Sequence, residues 1–183
     1  MPENENQPTN PEEQAAQEGQ GEAQQPQQVG FALDRVYVKD ISFESPNSPQ
    51  IFTKQWKPEF KMDLNTKHKP LTEEGNLFEV SVCVTLTATV EGMTAYIAEV
   101  EQGGIFQVIG LQGMQLAQAL SSMCPNVIFP YLRESMDSLI VKGSFAPAML
   151  APVNFDAIFA DAVRKKQAEM QAAAEEAQDS TAH

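Results

Sequence analysis

Histidine, cysteine and basic residues are scarce in this chain. Its 183 residues include two histidines and two cysteines, and 12 Lys and Arg stand against 25 Asp and Glu, which gives a formal net charge of −13. His68 lies in a polar run and His183 ends the sequence. Two histidines in these positions do not favour a histidine-based catalytic triad or a metal cluster. A chain this acidic opposes nucleic acid and anionic lipid, because both bind clustered Lys and Arg. We therefore predict no nucleic-acid partner and instead a basic one.

The two cysteines offer little chemistry. Cys83 and Cys124 are far apart and form no CxxC pattern, which predicts neither a disulfide framework nor a zinc ribbon. An enzyme with a cysteine nucleophile is the alternative, but neither thiol has a His or another base beside it in the sequence. A GxxxxGK(S/T) loop is also missing, so no nucleotide site is predicted. We predict a protein that is not an enzyme and that uses no cofactor or metal.

Long apolar runs are missing too. No stretch of 18 apolar residues occurs, and the start of the sequence lacks the charged and apolar segments of a secretory signal. We therefore predict a soluble, non-exported, cytoplasmic protein without membrane insertion. Residues 1–30 contain six Glu and no Lys or Arg among many Gln, Asn and Pro, which predicts a disordered acidic tail. Residues 171–183 are predicted to form a second acidic tail, which leaves residues 31–170 as the folded domain.

An alternation of apolar and polar residues fills the first half of the chain. Residues 78–90, FEVSVCVTLTATV, place an apolar side chain at every second position, which predicts a long strand with one buried face. EGM at 91–93 predicts a tight turn into a partner strand that begins TAYIAEVEQ. Two earlier strands are predicted over residues 31–44 and 56–66. The double glycine at 103–104 is interpreted as a strand end rather than a phosphate-binding loop.

After the double glycine the apolar spacing lengthens to three and four residues. This spacing predicts one helix over residues 114–123, a second over residues 126–143, and a third that begins after Asn154 as its N-cap. Strands followed by helices in one chain define the α+β class. The predicted architecture is a four-stranded antiparallel sheet with helices packed on one face.

The stretch KDISFESP raises the question of what Asp40 and Glu44 do. Period 2 places both carboxylates on one strand face and Ile41 and Phe43 on the other, and it separates the carboxylates by about 13 Å along the strand. Glycosidase carboxylates lie about 5 to 9.5 Å apart, so this pair is a poor acid/base couple. Two interpretations remain open, a solvated strand face and a contact surface for a basic partner.

The proline-rich connection at residues 45–58 carries large apolar side chains, namely Ile51, Phe52 and Trp56. Its prolines favour extended, poorly paired backbone, so these side chains must pack on something. They are either part of the core or the wall of a groove for apolar ligands.

Four separated blocks of the sequence resemble one known family. RVYVKDISFESPNSP, YIAEVEQGGIFQVIG, CPNVIFPYLRESM and LAPVNFDAIF resemble the SecB family of bacterial protein-export chaperones, in the same order and over about residues 31–165. The resemblance implies an α+β subunit that assembles as a homotetramer, a dimer of dimers. It also implies an ATP-independent chaperone that holds unfolded precursor proteins in the cytoplasm and passes them to the SecA translocation ATPase.

The resemblance also implies roles for particular residues. KDISFE and YIAEV correspond to the family's SecA contact surface, which implies this role for Asp40, Glu44, Ile97 and Glu99. The proline-rich loop corresponds to the wall of the client-binding groove, which implies this role for Ile51, Phe52 and Trp56, with Phe78 nearby. The alternative is a general or stress-linked holdase of the same fold that does not dock on the export motor.

Overall fold

The computed structural model describes residues 29–179, with side chains described for residues 29–172. Residues 1–28 of the tail predicted over residues 1–30 therefore lie outside the described residues, and Gly30 belongs to a strand. Four strands precede the helices. The elements are β1 (Gly30–Glu44), β2 (Glu59–Pro70), β3 (Leu77–Val90), β4 (Met93–Ile109), α1 (Gly113–Gln118), a π-helical segment (Ala119–Met123), α2 (Cys124–Lys142) and α3 (Phe155–Asp179), with a short 3-10 helix (Gln50–Thr53) between β1 and β2.

The strands form one antiparallel sheet in the order β1-β4-β3-β2. The connection between β1 and β2 must therefore cross from one edge of the sheet to the other. The predicted hairpin between β3 and β4 is confirmed, and Glu91 and Gly92 have φ values of 50° and 77°, as expected for a tight primed turn. The α+β class and the four-stranded antiparallel sheet are confirmed.

The helices pack on one face of this sheet, which we call the inner face; the opposite face is the outer face. Val80, Val82 and Val84 of β3 point to the inner face and are 0% exposed. Helix α2 covers β4, β3 and β1 and contributes its own buried side chains, Ile128, Leu132, Met136 and Ile140. Each fully buried side chain of this size contributes about 1.5 to 3 kcal/mol of transfer free energy. The apolar residues that alternate in the sequence of β3 are therefore among the residues that form the core.

Two β-bulges interrupt the pairing of β1 with β4. The register shifts between Leu33 and Arg35 and again between Val38 and Asp40, so that β1 gains an extra residue at two bulges. Beyond the second bulge, Asp40 and Glu44 point to the outer face, whereas Ile41 and Phe43 lie opposite buried residues of β4 on the inner face. The predicted division of this stretch between two faces is confirmed.

Strand β4 is longer than predicted and runs through the double glycine, so the interpretation of Gly103 and Gly104 as a strand end is wrong. Neither glycine has a positive φ. Their role is close packing, because a Cβ on Gly103 would lie 2.7 Å from the ring of Tyr37. A Cβ on Gly104 would lie 2.7 Å from the ring of Phe106 and 2.8 Å from Ile128. Side chains on both faces of the sheet thus occupy the space next to these glycines.

Strand β2 lies later in the sequence than predicted. It begins at Glu59 rather than at residue 56, since Pro58 has no N–H to donate to a ladder and keeps Trp56 in the loop. It ends at Pro70 rather than at residue 66, so the polar run that contains His68 is strand and not loop. The polar residues are tolerated because β2 is an edge strand.

The helical region is more continuous than predicted. Residues 113–142 are helical without interruption, so the break expected at Cys124 and Pro125 is wrong. Pro125 and Pro130 both lack a backbone donor, and the π-helical turn lies directly before Pro125. A π turn is one way for a helix to accommodate a missing i to i−4 hydrogen bond. No helix within residues 29–179 is long and apolar enough to cross a membrane.

Asn154 caps α3 as predicted, because its Oδ1 accepts a hydrogen bond from the backbone N–H of Ala157 at 3.0 Å. Helix α3 continues to Asp179 and so includes residues 171–179 of the predicted C-terminal tail. The alanines of this segment explain the helix, since alanine has the highest helix propensity. The division of the chain into a domain and two tails stays a prediction.

Candidate functional site

The outer face brings together the four residues expected to contact a basic partner. Glu44 lies opposite Ile97 in the β1–β4 ladder, and Asp40 lies opposite Glu101, which places Glu99 between these two pairs. Residues paired across antiparallel strands lie about 4.5 to 5.5 Å apart, so the four form one continuous surface. We call Asp40, Glu44, Ile97 and Glu99 the acidic patch.

The acidic patch is accessible and partly fixed in position. Asp40 and Glu44 are exposed, whereas Ile97 and Glu99 are half-buried. Thr85 Oγ1 donates a hydrogen bond of 2.6 Å to Glu99 Oε2, which holds that carboxylate in place. Carboxylates around one apolar side chain on a flat sheet can accept hydrogen bonds and ion pairs from a basic segment. Asp40 and Glu44 lie four residues apart along β1, about 13 Å, so they do not form an acid/base couple.

Nearer the sheet end that holds Gly30, basic side chains join the acidic ones on the outer face. Lys39 Nζ lies 3.3 Å from Glu79 Oε1 and 3.4 Å from Glu101 Oε1, and Lys69 Nζ lies 2.9 Å from Glu79 Oε2. Glu79 is 7% exposed, although a solvated face was expected on this side of β3. We call the four basic residues at this end, Arg35, Lys39, Lys67 and Lys69, the basic half.

Glu79 is held ionised at the centre of this network. The hydrogen bond from the Tyr37 hydroxyl, followed by that from Lys69, lowers the pKa of Glu79 to about 2. Burial, together with the hydrogen bond to Glu79, raises the pKa of Tyr37 to about 12. At neutral pH the carboxylate is therefore charged and the phenol protonated, which suits a structural ion-pair network and not proton transfer.

The connection between β1 and β2 is anchored across the end of the sheet. Ser45 Oγ donates to the backbone oxygen of Ala95 at 2.8 Å, and Asn47 Nδ2 donates to that of Thr94 at 2.9 Å. Ile51 is 3% exposed and belongs to the core. For Ile51, the structure therefore favours packing in the core over a place in the wall of a groove.

Phe52 and Trp56 instead join an aromatic cluster that remains open to solvent. Ring centroids of Phe52, Trp56 and Tyr96 lie 5.1, 5.4 and 5.0 Å from that of Phe145, in the segment after α2. Phe43 also stacks on Tyr96 at 5.7 Å. Phe52 is 50% and Trp56 37% exposed, whereas Tyr96 is fully buried. We call Phe43, Phe52, Trp56, Tyr96 and Phe145 the aromatic cluster.

The Tyr96 hydroxyl has no hydrogen-bond partner among the described residues. Burial, and to a smaller extent the nearby Asp137, raises the pKa of Tyr96 to about 12. The phenol therefore stays protonated and offers an unused donor below an apolar surface.

Phe78 does not lie near this cluster, so the expectation of proximity is wrong. Phe78 pairs with Phe106, whereas Tyr96 pairs with Ala88, ten residues farther along β3. At about 3.3 Å per residue this separation is about 33 Å. Phe78 is 6% exposed and contributes to the core at the opposite end of the sheet.

The inner face of β2 continues the apolar surface beyond the cluster. Phe60 and Met62 lie opposite the buried Ala88 and Leu86 of β3, yet they are 50% and 43% exposed, because α2 covers the other three strands. Farther along β2, Thr66 borders a groove of about 590 Å³ between the strand, α1 and α3. An apolar strip therefore runs along one edge of the sheet.

Neither cysteine is activated. Burial, followed by the charge of Glu99, raises the pKa of the Cys83 thiol, and burial raises that of Cys124 to about 12. Thiolates are the reactive form of cysteine, so both side chains are inert. Within residues 29–179, no group of three or more His, Cys, Asp and Glu is placed to hold a metal ion.

Comparisons with known proteins agree on one family. The family model for Preprotein translocase subunit SecB matches residues 23–166. The Protein-export protein SecB of Hahella chejuensis is 53% identical over 155 residues, which are 85% of this chain and 96% of that protein. That of Marinobacter nauticus is 52% identical over 151 residues, which are 82% of this chain and 90% of that protein.

A solved structure supports the fold. The SecB-like chaperone of Mycobacterium tuberculosis, in complex with a ChAD peptide from an antitoxin, matches with a TM-score of 0.54 at 13% identity, over 67% of this chain and 90% of that one. The family model and the curated relatives define the class of the molecule, a non-enzymatic chaperone in protein export. The chain belongs to the SecB family.

Sequence reasoning missed several residues of these surfaces. Phe145 is a single aromatic residue in a loop, and nothing in its neighbourhood indicates that it contacts Trp56. In the sequence, Glu79 resembles the other polar residues of an alternating strand. In the structure it is buried beneath Lys39 and Lys69. The signal in the sequence that could have pointed to the network is the spacing of Lys67 and Lys69, because alternation places both on one strand face of a strongly acidic chain.

Proposed function

We propose that this chaperone binds unfolded precursor proteins without ATP, keeps them competent for translocation in the cytoplasm, and delivers them as a homotetramer to the SecA translocation ATPase. One observation carries the proposal: the same sheet has an exposed apolar strip on its inner face and a flat acidic patch on its outer face. Two partners of different chemistry can therefore be bound at once.

The apolar strip is the proposed client surface. Phe52, Trp56, Phe60 and Met62 are 37% to 50% exposed on the inner side of one sheet edge. An unfolded chain offers apolar side chains to such a strip, and backbone groups to β2, the last strand in the sheet order. Flexible methionine and rigid aromatic side chains accommodate many sequences. Spread over several subunits, weak contacts of this kind gain from avidity.

Suppression of aggregation tests the client surface. A chemically denatured precursor should stay in solution in the presence of the chaperone, equally well with and without ATP. Phe52→Ser should weaken this activity, because the substitution removes an exposed ring from the strip. Tyr131→Ser is the matched control, since Tyr131 is 51% exposed on α2 and Phe52 is 50% exposed. A strict ATP requirement, or equal losses in both variants, would contradict the proposal.

The acidic patch is the proposed docking surface for a basic segment of SecA. Exposed Asp40 and Glu44 supply charge, and half-buried Ile97 supplies an apolar centre next to Glu99. Interfaces of this kind gain specificity and association rate from charge complementarity. The attraction should weaken as salt shortens the Debye length from about 10 Å at 0.1 M to about 3 Å at 1 M.

Calorimetric titration with the basic tail of SecA tests the docking surface. Reversal of Asp40 and Glu44 to Lys should weaken binding by about 1 to 3 kcal/mol, through lost attraction and new repulsion. Reversal of Glu73 and Glu74, in the turn between β2 and β3, makes the same change in net charge away from the patch and should have little effect. Unchanged affinity in the Asp40 and Glu44 variant would favour a general or stress-linked holdase instead.

The proposed homotetramer rests on apolar surface that one subunit leaves exposed. Met114, Ile158 and Met170 line the groove between α1 and α3 and are 59%, 45% and 65% exposed. Large exposed apolar surfaces in soluble proteins mark interaction sites. Light scattering of the purified protein should give the mass of four chains, and a stable monomer at micromolar concentration would contradict the proposal.

A further inference from the structure

The loop that carries Trp56 is anchored differently at its two ends. Its first residues are bound to the start of β4, because Ser45 and Asn47 donate hydrogen bonds to backbone oxygens there. Between Lys54 and the start of β2, only one side-chain hydrogen bond or ion pair joins the loop to the rest of the described chain. It is the contact of Lys54 Nζ with Glu91 Oε2, at 2.8 Å. The half of the loop that leads to Trp56 therefore has a single polar attachment to the sheet.

Glu91 occupies a turn position that glutamate fits poorly. The turn between β3 and β4 has a positive φ at both of its central residues, 50° at Glu91 and 77° at Gly92. Primed turns of this kind favour Asn, Asp or Gly at the first position, because longer side chains are strained in the left-handed region. Asparagine would therefore suit the turn better, but it could not form the ion pair with Lys54. A residue that breaks a local rule in this way points to a role outside the turn.

The ion pair lies beside the apolar strip. Lys54 directly follows the 3-10 helix that contains Phe52, and it precedes Trp56 by two residues. The rings of Phe52 and Trp56 contact that of Phe145, and the two residues remain 50% and 37% exposed. A loop held in one position presents these rings to a client without first losing conformational freedom, which favours binding.

We propose that Glu91 is a positioning residue for client binding: through Lys54 it holds the loop so that Phe52 and Trp56 form a preorganised wall of the apolar strip. The inference rests on the proposed client surface, but the position of the loop can be measured without a client. The side chains of Lys54 and Glu91 are 39% and 56% exposed. Ion pairs this exposed change an equilibrium by no more than about fivefold, which sets the size of the expected effect.

Quenching of Trp56 fluorescence by acrylamide in the client-free chain measures how firmly the loop is held. Trp56 is the only tryptophan of the chain, and acrylamide is neutral, so an altered charge does not change its approach. Glu91→Asn removes the ion pair and improves the turn. The variant should therefore unfold at the same or a higher urea concentration, whereas the quenching constant should rise at least about 1.5-fold. Unchanged quenching, or a rise that comes with a loss of stability, would overturn the inference.

Asp63→Asn is the matched control. It removes the same charge and breaks the ion pair of Asp63 with Lys61, at 2.9 Å on β2, and it should leave the quenching unchanged. Lys54→Glu should raise the quenching as Glu91→Asn does. Lys54→Glu combined with Glu91→Lys should restore it, because the pair is rebuilt with its charges exchanged. A rise in the control, or no recovery in the exchanged pair, would overturn the inference.

Salt provides a test that needs no second variant. At 1 M salt, where charges are screened within about 3 Å, the unmodified chain should approach the quenching of Glu91→Asn. A difference between the two that is undiminished at 1 M salt would overturn the inference, because it would not come from the ion pair.

Client affinity is the functional readout. Binding of a chemically denatured precursor by Glu91→Asn should weaken about two- to fivefold, and the exchanged pair of Lys54 and Glu91 should recover it. Unchanged client affinity in a variant with raised quenching would overturn the inference, since the loop would then be held without any effect on binding. No binding by the unmodified chain would instead contradict the proposed client surface itself, and the inference with it.

Discussion

The aromatic cluster and the acidic patch occupy opposite faces of the same two strands. Phe43 belongs to the cluster and its neighbour Glu44 to the patch, just as Tyr96 belongs to the cluster and its neighbour Ile97 to the patch. The cluster is stabilised by contact between rings, and the patch consists mainly of exposed charges. One stretch of alternating sequence thus builds two surfaces that respond to different conditions.

The two faces of one sheet therefore differ in the physical force that a ligand would meet there. Apolar burial depends little on charge screening, whereas the attraction between exposed charges decreases with salt. Substitution of a residue on the inner face of these strands should therefore affect the aromatic cluster and spare the acidic patch. Substitution of a residue on the outer face should do the reverse.

Phe145→Ala should give the largest loss of stability. Its ring contacts those of Phe52, Trp56 and Tyr96, and truncation of a buried phenylalanine costs about 3 to 5 kcal/mol. Urea unfolding measures the loss. Trp56 is the only tryptophan of the chain, so its emission in the folded state should shift to the red as its ring becomes hydrated.

Phe52→Ala is the control for this result, because its ring is 50% exposed and already partly hydrated. It should cost clearly less stability than Phe145→Ala. Equal losses in the two variants would mean that the loop, and not Phe145, holds the cluster together. Binding of the basic SecA tail should remain unchanged in both variants.

Glu79→Gln tests the network beneath the basic half. Because the pKa of Glu79 is lowered from 4.5 to about 2, its ionised form stabilises the folded state above pH 4.5, and this contribution is lost as pH falls from 4.5 to 2. We expect the variant to be less stable by about 2 kcal/mol at pH 7, with part of the pKa effect offset by solvent around the lysines. The difference should disappear near pH 2.

Urea unfolding at several pH values measures this difference. Glu74→Gln is the matched control, since Glu74 lies in an exposed turn at the same end of the sheet. A difference between Glu79→Gln and the unmodified chain that stays constant from pH 7 to pH 2 would show that the carboxylate charge is not what stabilises the network.

Gly103→Ala should have the smallest of the three effects on stability. The added Cβ would lie 2.7 Å from the Tyr37 ring, which must move aside and weaken its hydrogen bond to Glu79, at a cost of about 1 kcal/mol. Gly30→Ala makes the same chemical change in β1, where the nearest atom would lie at 3.6 Å, and should be nearly neutral. Similar stabilities of the two variants would contradict the packing role of Gly103.

The sequence predicts the inner face of the sheet well because burial there follows one simple rule. Every second residue of β3 from Phe78 to Val90 is buried, as the alternation indicates. Alternation also places Asp40 and Glu44 on one strand face correctly, and the ladder then shows that Ile97 and Glu99 lie on the same face. Asn154 is found from the same kind of local rule, since a cap needs only the residues next to it.

Long-range packing explains what the sequence does not predict. Gly103 and Gly104 resemble a strand end locally, but they are required by Tyr37 and by Ile128, which are distant in the chain. Phe145 joins Trp56 only after the loop has crossed the sheet. The prediction that Phe78 lies near the loop aromatics is wrong because β3 is long and places its two ends in different parts of the domain.

The separation of the two surfaces is tested most directly by binding both partners to one sample. The chaperone is saturated with a chemically denatured precursor, and the basic tail of SecA is then titrated by calorimetry, with the client-free chaperone as reference. The account predicts the same affinity in both titrations, within about twofold, since contacts on opposite sheet faces share no residue. Release of the client by the tail, or a tail affinity reduced tenfold or more by the client, would contradict it.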